Sequence, residues 1–396
     1  MNRPILITLV AITSCTLRAQ AVVQTGLDRL VATKFESLRG AKVGLISNQT
    51  GRDAQGRGIV DDFLAQDACT LRAIFSPEHG FDGVLDQAKI TDGRHASGIV
   101  IHSLYGETRK PTATMLDGID TLVFDIQDVG TRFYTYAATM RLCMEAAAEN
   151  HIAFVVLDRP NPIGGIAVDG PLLDAGKESF VAPHLLPVRH GMTLGELARM
   201  FDAERAIGCE PRVIEVQGWN RAMLWEDTGL TWVNPSPNMR TPTQALLYPG
   251  IGLLETTDLS VGRGTDTPFE IVGAPWFDGP RVWARLRELE LEGVAFTPVR
   301  FTPTSSKHEG KECGGLRIAV TDRSRLDPLR IGLALAVVLH DLHREDFRFA
   351  PFARLLGNQA CFDALDRGAS AGEVIAAWQK DLDAFRTRRA KYLIYR

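Results

Sequence analysis

Carboxylates, amides and arginines cluster at the ends of short apolar runs in this chain. Leu71–Phe75 opens into Ser76-Pro77-Glu78-His79-Gly80, Leu122–Phe124 into Asp125-Ile126-Gln127-Asp128, and Phe154–Leu157 into Asp158-Arg159-Pro160-Asn161. A glutamate held behind a proline at the end of a buried strand loses part of its hydration, which raises a carboxyl pKa towards the range a general acid needs. Glu78 is therefore the candidate proton donor to a leaving oxygen, and a strand-end carboxylate that caps the next helix is the competing reading. His79 beside it reads as an orienting hydrogen-bond partner rather than a base. In the second run, side-chain alternation places Asp125 and Gln127 on one face of the strand end, while Arg132, Tyr134 and Tyr136 lie in the turn into the following helix. Carboxylates, an amide and hydroxyls around aromatic rings fit a polyhydroxylated ligand. An ion pair from Asp125 or Asp128 to Arg132 that only fixes the loop is the alternative.

Arg159 offers a planar fork suited to a carboxylate, against a pairing with Asp158 or Asp169 that would be purely structural. Asn161 leaves the same strand end between Pro160 and Pro162, which stiffen the exit. In Gly262-Arg263-Gly264-Thr265 an arginine is carried on flexible backbone, either beside a ligand or in a plain turn. The segment from Trp232 to Asn238 offers a face for stacking a sugar, although a tryptophan also fills cores.

Elements able to position these groups are written in the hydrophobic pattern. Val43–Ile46, Leu71–Phe75, Ile99–Leu104, Leu122–Ile126, Phe154–Leu157 and Val213–Val216 have strand length and β-branched content. Helical patterns run over Ile59–Ala65, Thr135–Glu149 and Thr193–Arg205, the last opened by Thr193 with Glu196 three residues on as a capping box. This alternation predicts an α/β fold with a Rossmann-like, doubly wound and mostly parallel sheet, whose ligands bind beyond the carboxyl ends of the strands. No Gly-x-Gly-x-x-Gly follows the first strand, so the topology implies no dinucleotide. Gly and Pro punctuate residues 234–280, after which a helix at Val282–Leu291, strands near Val294–Phe301 and Leu316–Thr321, and a helix at Pro328–His343 predict a smaller α/β domain. The expected organisation is residues 22–240 as the catalytic domain and 241–396 as the smaller one.

At 396 residues, 45% hydrophobic and 23% charged, the chain is long enough for two domains. Its net charge of -4 and the lack of a Lys/Arg stripe exclude a nucleic-acid footprint. Asn2 and Arg3, the apolar stretch Ile5–Ile12 and Ala19-Gln20-Ala21 read as a secretory signal peptide over residues 1–21, hence a periplasmic or secreted protein. Ile12-Thr13-Ser14-Cys15 also resembles a lipoprotein box, which would leave the protein anchored at Cys15. Five cysteines follow the leader without the spacing of a zinc site, so neither a metal nor a disulfide framework is expected.

Taken in order, Asn48-Gln49-Thr50-Gly51, Phe75–Gly80, Ser103-Leu104-Tyr105-Gly106, Phe124–Tyr136, Leu157–Pro162, His190–Ala198, Pro235–Met239 and Gly262–Thr265 resemble the exo-β-N-acetylmuramidase (NamZ-like) family of glycoside hydrolases. The likeness runs from about residue 25 to the end of the chain. It implies a cleft between the two domains, no cofactor, and release of N-acetylmuramic acid from the non-reducing ends of peptidoglycan fragments. It further implies Glu78 as the catalytic glutamate and His79, Asp125, Gln127, Arg132, Tyr134 and Arg263 as motif positions around the cleft; Asn48, Arg159, Asn161, Asn238, Glu255 and Thr265 complete the candidate substrate-binding set with His79, Gln127, Arg132, Tyr134 and Arg263. The chain departs from the family pattern at Asp169, Asp258 and Val261, the last removing a carboxylate. On this reading Glu78 protonates the glycosidic oxygen, while Asp125 or Asp128 activates water or orients the sugar's own acetamido group. Arg263, Arg159 or Arg132 supplies the cation for the lactyl carboxylate that distinguishes muramic acid from glucosamine. Two other classes fit the same residues: a non-catalytic muropeptide-binding protein, and a hydrolase of another cell-wall bond with Ser76 or Ser236 as nucleophile.

Overall fold

The computed structural model describes residues 23–396, so the leader and Cys15 lie outside the described residues. Among the described residues ten strands form two sheets. In the first lobe these are β1 (Lys42–Ser47), β2 (Thr70–Ser76), β3 (Gly93–Arg94), β4 (Val100–Ser103), β5 (Thr121–Asp125), β6 (Ala153–Leu157) and β7 (Arg212–Ile214). Their order is β3-β4-β2-β1-β5-β6-β7, parallel throughout except where β3 pairs antiparallel with β4. The chain works outwards from β1 to β4 and then returns to the other side of β1 with β5. That reversal makes the carboxyl ends of β1 and β5 the switch point at which open α/β sheets bind ligands.

Both faces of this sheet are covered, which is why its strands read as continuous apolar runs. Side-chain alternation sorts them cleanly. Val43, Leu45, Ile74, Val123, Val155 and Leu157 pack with Leu27, Leu30, Ile59 and Phe63 from the helices Gly26–Ala32 and Ile59–Leu64. Their neighbours Ile46, Phe75, Leu122, Phe124, Phe154 and Val156 face the helices Tyr136–Glu149 and Leu194–Arg205 through Met140, Met144, Leu197 and Phe201. The second helix begins as its sequence dictates: Thr193 caps it and Glu196 closes the capping box.

The second lobe is an antiparallel sheet of β8 (Ile271–Ala274), β9 (Val294–Phe301) and β10 (Cys313–Val320) in the order β8-β10-β9, backed by the helices Gly279–Arg287 and Pro328–Leu342. Its core residues Leu316, Ile318, Leu333 and Val338 are continuous with the larger core of the first lobe. The chain end also returns to the first lobe, where the Tyr395 hydroxyl donates to Asp158 Oδ2 at 2.6 Å and accepts from the Val216 amide at 2.9 Å. All five described cysteines are free. Among the described residues no helix is long and apolar enough to cross a membrane.

Candidate active site

Beyond the carboxyl ends of β1, β2 and β5, a cleft of about 350 Å³ separates the lobes. Glu78 stands in it, half-buried, two residues past the end of β2. The Thr135 hydroxyl donates to Glu78 Oε2 at 2.5 Å, and the Tyr105 phenol lies near enough to feel its charge. Burial and then the Glu78 charge push the Tyr105 phenol up to about 12, so it stays a donor at neutral pH. Thr135 is the N-cap residue of the helix Tyr136–Glu149, yet its side chain makes no capping bond, which leaves the hydroxyl free for Glu78.

His79 takes a left-handed conformation, φ 72°, and its Nδ1 lies 2.7 Å from the Leu85 carbonyl. A carbonyl partner requires a proton on Nδ1, so Nε2 is the ring nitrogen left for the cleft. This contact fixes the loop that follows, and one residue further on Asp86 reaches the opposite wall. There it accepts from Asn238 Nδ2 at 3.2 Å and pairs with Arg263 at 3.5 Å.

Arg263 is aimed by its glycines. Gly262 and Gly264 have φ of 84° and 77°, and a Cβ on either would press against Ile271 or Ser305 at 2.5 Å. The guanidinium Nε donates to Glu255 Oε1 at 2.6 Å, and that carboxylate, together with Asp86, holds the arginine firmly charged. Lys307 Nζ donates to the Glu255 backbone carbonyl. The floor between the two carboxylates is aromatic: Tyr134 meets Tyr136 edge to face at 5.0 Å, Phe133 meets Tyr248 at 5.1 Å, and Tyr248 meets Phe269 at 4.8 Å. Burial raises the Tyr136 and Tyr248 phenols well above their usual range, so all these rings are neutral. Val261, where the resembled family carries a carboxylate, is a buried apolar residue of this wall.

Of the residues singled out from sequence, Glu78, His79, Tyr134, Tyr136, Ser236, Asn238, Glu255, Val261 and Arg263 line the cleft. The others do not, and each has a structural occupation. Asp125, expected as a catalytic carboxylate, is fully buried in a fork with Arg159, whose Nη2 donates to Oδ2 at 2.9 Å and whose Nε donates to Oδ1. That pair removes Arg159 as well from the lactyl candidates. Arg132 spends both terminal nitrogens on four backbone carbonyls, of Pro171, Leu186, Leu355 and Leu356. Gln127 donates to the Asp128 and Pro160 carbonyls, and Asn161 to that of Met192. Asn48 sits beneath the cleft: it donates to the Tyr136 hydroxyl at 3.2 Å and accepts from Thr50. Thr265 closes its own turn by donating to the Gly262 carbonyl. The sequence reading missed Thr135, Tyr105, Asp86, Tyr248, Lys307 and Arg354. Of these, Tyr105 and Thr135 lie inside the family-like segments Ser103–Gly106 and Phe124–Tyr136.

Asp128, the other expected catalytic carboxylate, is 8% exposed and lies behind Tyr134 rather than in the cleft. Its Oδ2 accepts from the Gly130 amide at 2.7 Å while Oδ1 has no partner. Burial lifts its pKa from 3.8 to about 7. A folded-state pKa above the unfolded value means stability that is full below about pH 4 and lost as pH rises through about 7. Asp128→Asn should therefore remove part of the destabilisation between pH 5 and 8, on the order of 2 kcal/mol at the upper end. Urea unfolding of both proteins at the two pH values measures it, and a difference that does not depend on pH contradicts the assignment.

The chain matches the family models for the N-terminal part of exo-β-N-acetylmuramidase NamZ over residues 43–243 and for its C-terminal part over residues 246–395. It is 44% identical over 379 residues to peptidoglycan β-N-acetylmuramidase NamZ of Bacillus subtilis (strain 168), covering 94% of this chain and 91% of that protein. Two crystal structures of DUF1343 family proteins from Bacteroides fragilis superpose on 94% of this chain and 99% of theirs. Their TM-scores are 0.87 and 0.76, at 34% and 32% identity.

Proposed function

This chain belongs to the exo-β-N-acetylmuramidase NamZ family, and from that premise we propose that its cleft hydrolyses the β-glycosidic bond of a terminal N-acetylmuramic acid in peptidoglycan fragments. The observation that carries the reading is Glu78, held by the Thr135 hydroxyl in an aromatic-floored cleft that also contains a second carboxylate, Glu255, and the cations Arg263 and Lys307. Glu78 in its protonated form gives its proton to the glycosidic oxygen as the bond to the anomeric carbon breaks. Thr135 fixes the carboxyl group so that the donating oxygen faces the leaving group. Glu255 replaces Asp125 and Asp128 as the second carboxylate: of these three it is the one that lines the cleft. Its Oε1 is fixed by Arg263, and Oε2 lies 3.4 Å from the Tyr248 hydroxyl. There it orients the group that attacks the anomeric carbon, whether water or the sugar's 2-acetamido oxygen. Tyr134, Tyr248 and Phe269 give the acetyl methyl and the ring hydrogens an apolar surface.

The acyl-transfer alternative has less support. Ser76 is buried at the end of β2, and among the described residues no histidine hydrogen-bonds Ser236. A muropeptide receptor would not need the oriented carboxyl of Glu78. A substrate in the cell envelope agrees with the leader read over residues 1–21.

The test is release of chromophore from an aryl β-N-acetylmuramide and from the matching β-N-acetylglucosaminide, with the released sugar identified by mass. Selective turnover of the muramide, with free N-acetylmuramic acid as the product from a longer fragment, is expected. Tight binding of a muropeptide without turnover would overturn the reading. The same pair of substrates tests the lactyl contact. With Arg132 and Arg159 committed elsewhere, Arg263 is the arginine of the three that can meet a carboxylate in the cleft. Arg263→Ala should cut the muramide-over-glucosaminide ratio of kcat/KM about tenfold or more, the size of one charge-assisted contact. An unchanged ratio assigns the lactyl group to another residue.

A further inference from the structure

Glu78 does not belong to one cavity only. A second cavity, of about 550 Å³, opens on its other side, and Glu78, Thr135, Val181 and Arg354 form the shared boundary between the two. An acid that protonates a glycosidic oxygen must stand between the sugar being released and the group that leaves with that oxygen. The first cavity contains Glu255, Arg263 and the aromatic floor, which assigns it to the terminal sugar. The second must then meet the leaving side of the bond. We propose that this second cavity is the site of the leaving glycan, and that its cations select a leaving glycan that carries carboxylates, such as one with a further muramic residue. The inference rests on the glycosidase reading above.

The lining of the second cavity has the chemistry for this. Phe180 and Tyr105 present rings 5.9 Å apart, suited to the apolar face of a pyranose. The Arg109 guanidinium lies 4.1 Å over the Phe180 ring and 5.3 Å from the Tyr105 ring, so two aromatic faces hold it in place without neutralising it. Arg109, Lys177 and Arg354 all line the cavity, and among the described residues none of them forms an ion pair. The acid opposite them, Asp174, is already occupied, accepting from Asn358 Nδ2 at 3.0 Å and from the Gln359 amide at 2.7 Å. Three uncommitted cations beside a spoken-for carboxylate make a surface that favours an anionic ligand. A neutral N-acetylglucosamine alone has no use for them. The lactyl or peptide carboxylates of the next muramic residue do.

The experiment compares kcat/KM on three substrates: an aryl muramide, the MurNAc-GlcNAc disaccharide and the corresponding tetrasaccharide with a second muramic residue. They are assayed with wild type and with the Arg109→Ala/Lys177→Ala double variant. Both side chains are exposed, and thermal unfolding checks that the variant folds. The tetrasaccharide-to-disaccharide ratio is expected to fall about tenfold in the variant, and added salt should lower the same ratio in wild type. A ratio unchanged by the double substitution overturns the proposal. The Phe180→Ala variant adds a second reading, in which the disaccharide should lose more than the aryl muramide. Failure of wild type to cleave any of the three is a different result: it removes the glycosidase reading itself.

Discussion

Glu78→Gln lowers kcat by about a thousandfold on the natural disaccharide while KM stays within a few fold, within the range a positioned general acid contributes. The substitution keeps the shape and the oxygen that accepts from Thr135, so it removes the transferable proton and little else. The dependence on leaving group is the sharper signature. A dinitrophenyl muramide departs without protonation, so its loss in the variant should be at least tenfold smaller than that of the disaccharide. Equal losses on both substrates would mean that Glu78 stabilises charge or positions the sugar rather than donating the proton. The neighbouring hydroxyl gives a graded control. Thr135→Val removes the hydroxyl that donates to the carboxyl and should cost less than Glu78→Gln, because the transferable proton itself remains.

Much of the scaffold was legible because parallel strands buried on both faces leave uninterrupted apolar runs. All six strands expected in the first half occur, and the capping box at Thr193 and Glu196 starts its helix where the spacing says it should. The edge strand β3 has two exposed residues, and nothing in its composition marks it. The helix Pro242–Ile251 carries Pro249 inside it and ends in glycines, which read as loop punctuation until packing against the helix Pro328–Leu342 overrides them. The helix Ala371–Arg389 carries its start signal in the capping box of Ser370 and Glu373.

The site was legible as a location and less so as a set of roles. Strand-end position led to Glu78, which lines the cleft, but position alone cannot separate a carboxylate facing the cleft from one turned into the sheet. Asp125 is the last residue of β5 and still belongs to its buried face, so it needed a counter-ion, and Arg159 one strand away supplies it. Glu78 lies two residues beyond its strand, where Pro77 has already turned the chain outwards. Lys307 and Arg354 reach the cleft from segments more than two hundred residues from Glu78, with no local motif to announce them. Contacts of that range are properties of the fold.

Arg132→Met should destabilise the protein by about 3–5 kcal/mol, the scale of breaking a buried charged hydrogen-bond network. Arg132 is 1% exposed, and burial pulls its pKa down to about 9, so the site costs the arginine solvation that only its partners return. Those partners are the carbonyls of Pro171 and Leu186 in the first lobe and of Leu355 and Leu356 in the second. Removing the donor strands four acceptors at once, and an unsatisfied buried carbonyl cannot be rescued by packing. One side chain thus ties the wall that carries Arg354 and Leu355 to the loop after β5 that carries Phe133 to Tyr136. The contrast with Arg263 decides between scaffold and ligand contact. Arg132→Met should shift the urea midpoint strongly yet retain the preference for muramide over glucosaminide in the protein that remains folded, whereas Arg263→Ala should do the reverse. A variant at Arg132 with an unaltered midpoint and a lost preference would return this arginine to the substrate. That outcome would require the four carbonyls to find other donors, which the buried geometry around them does not offer.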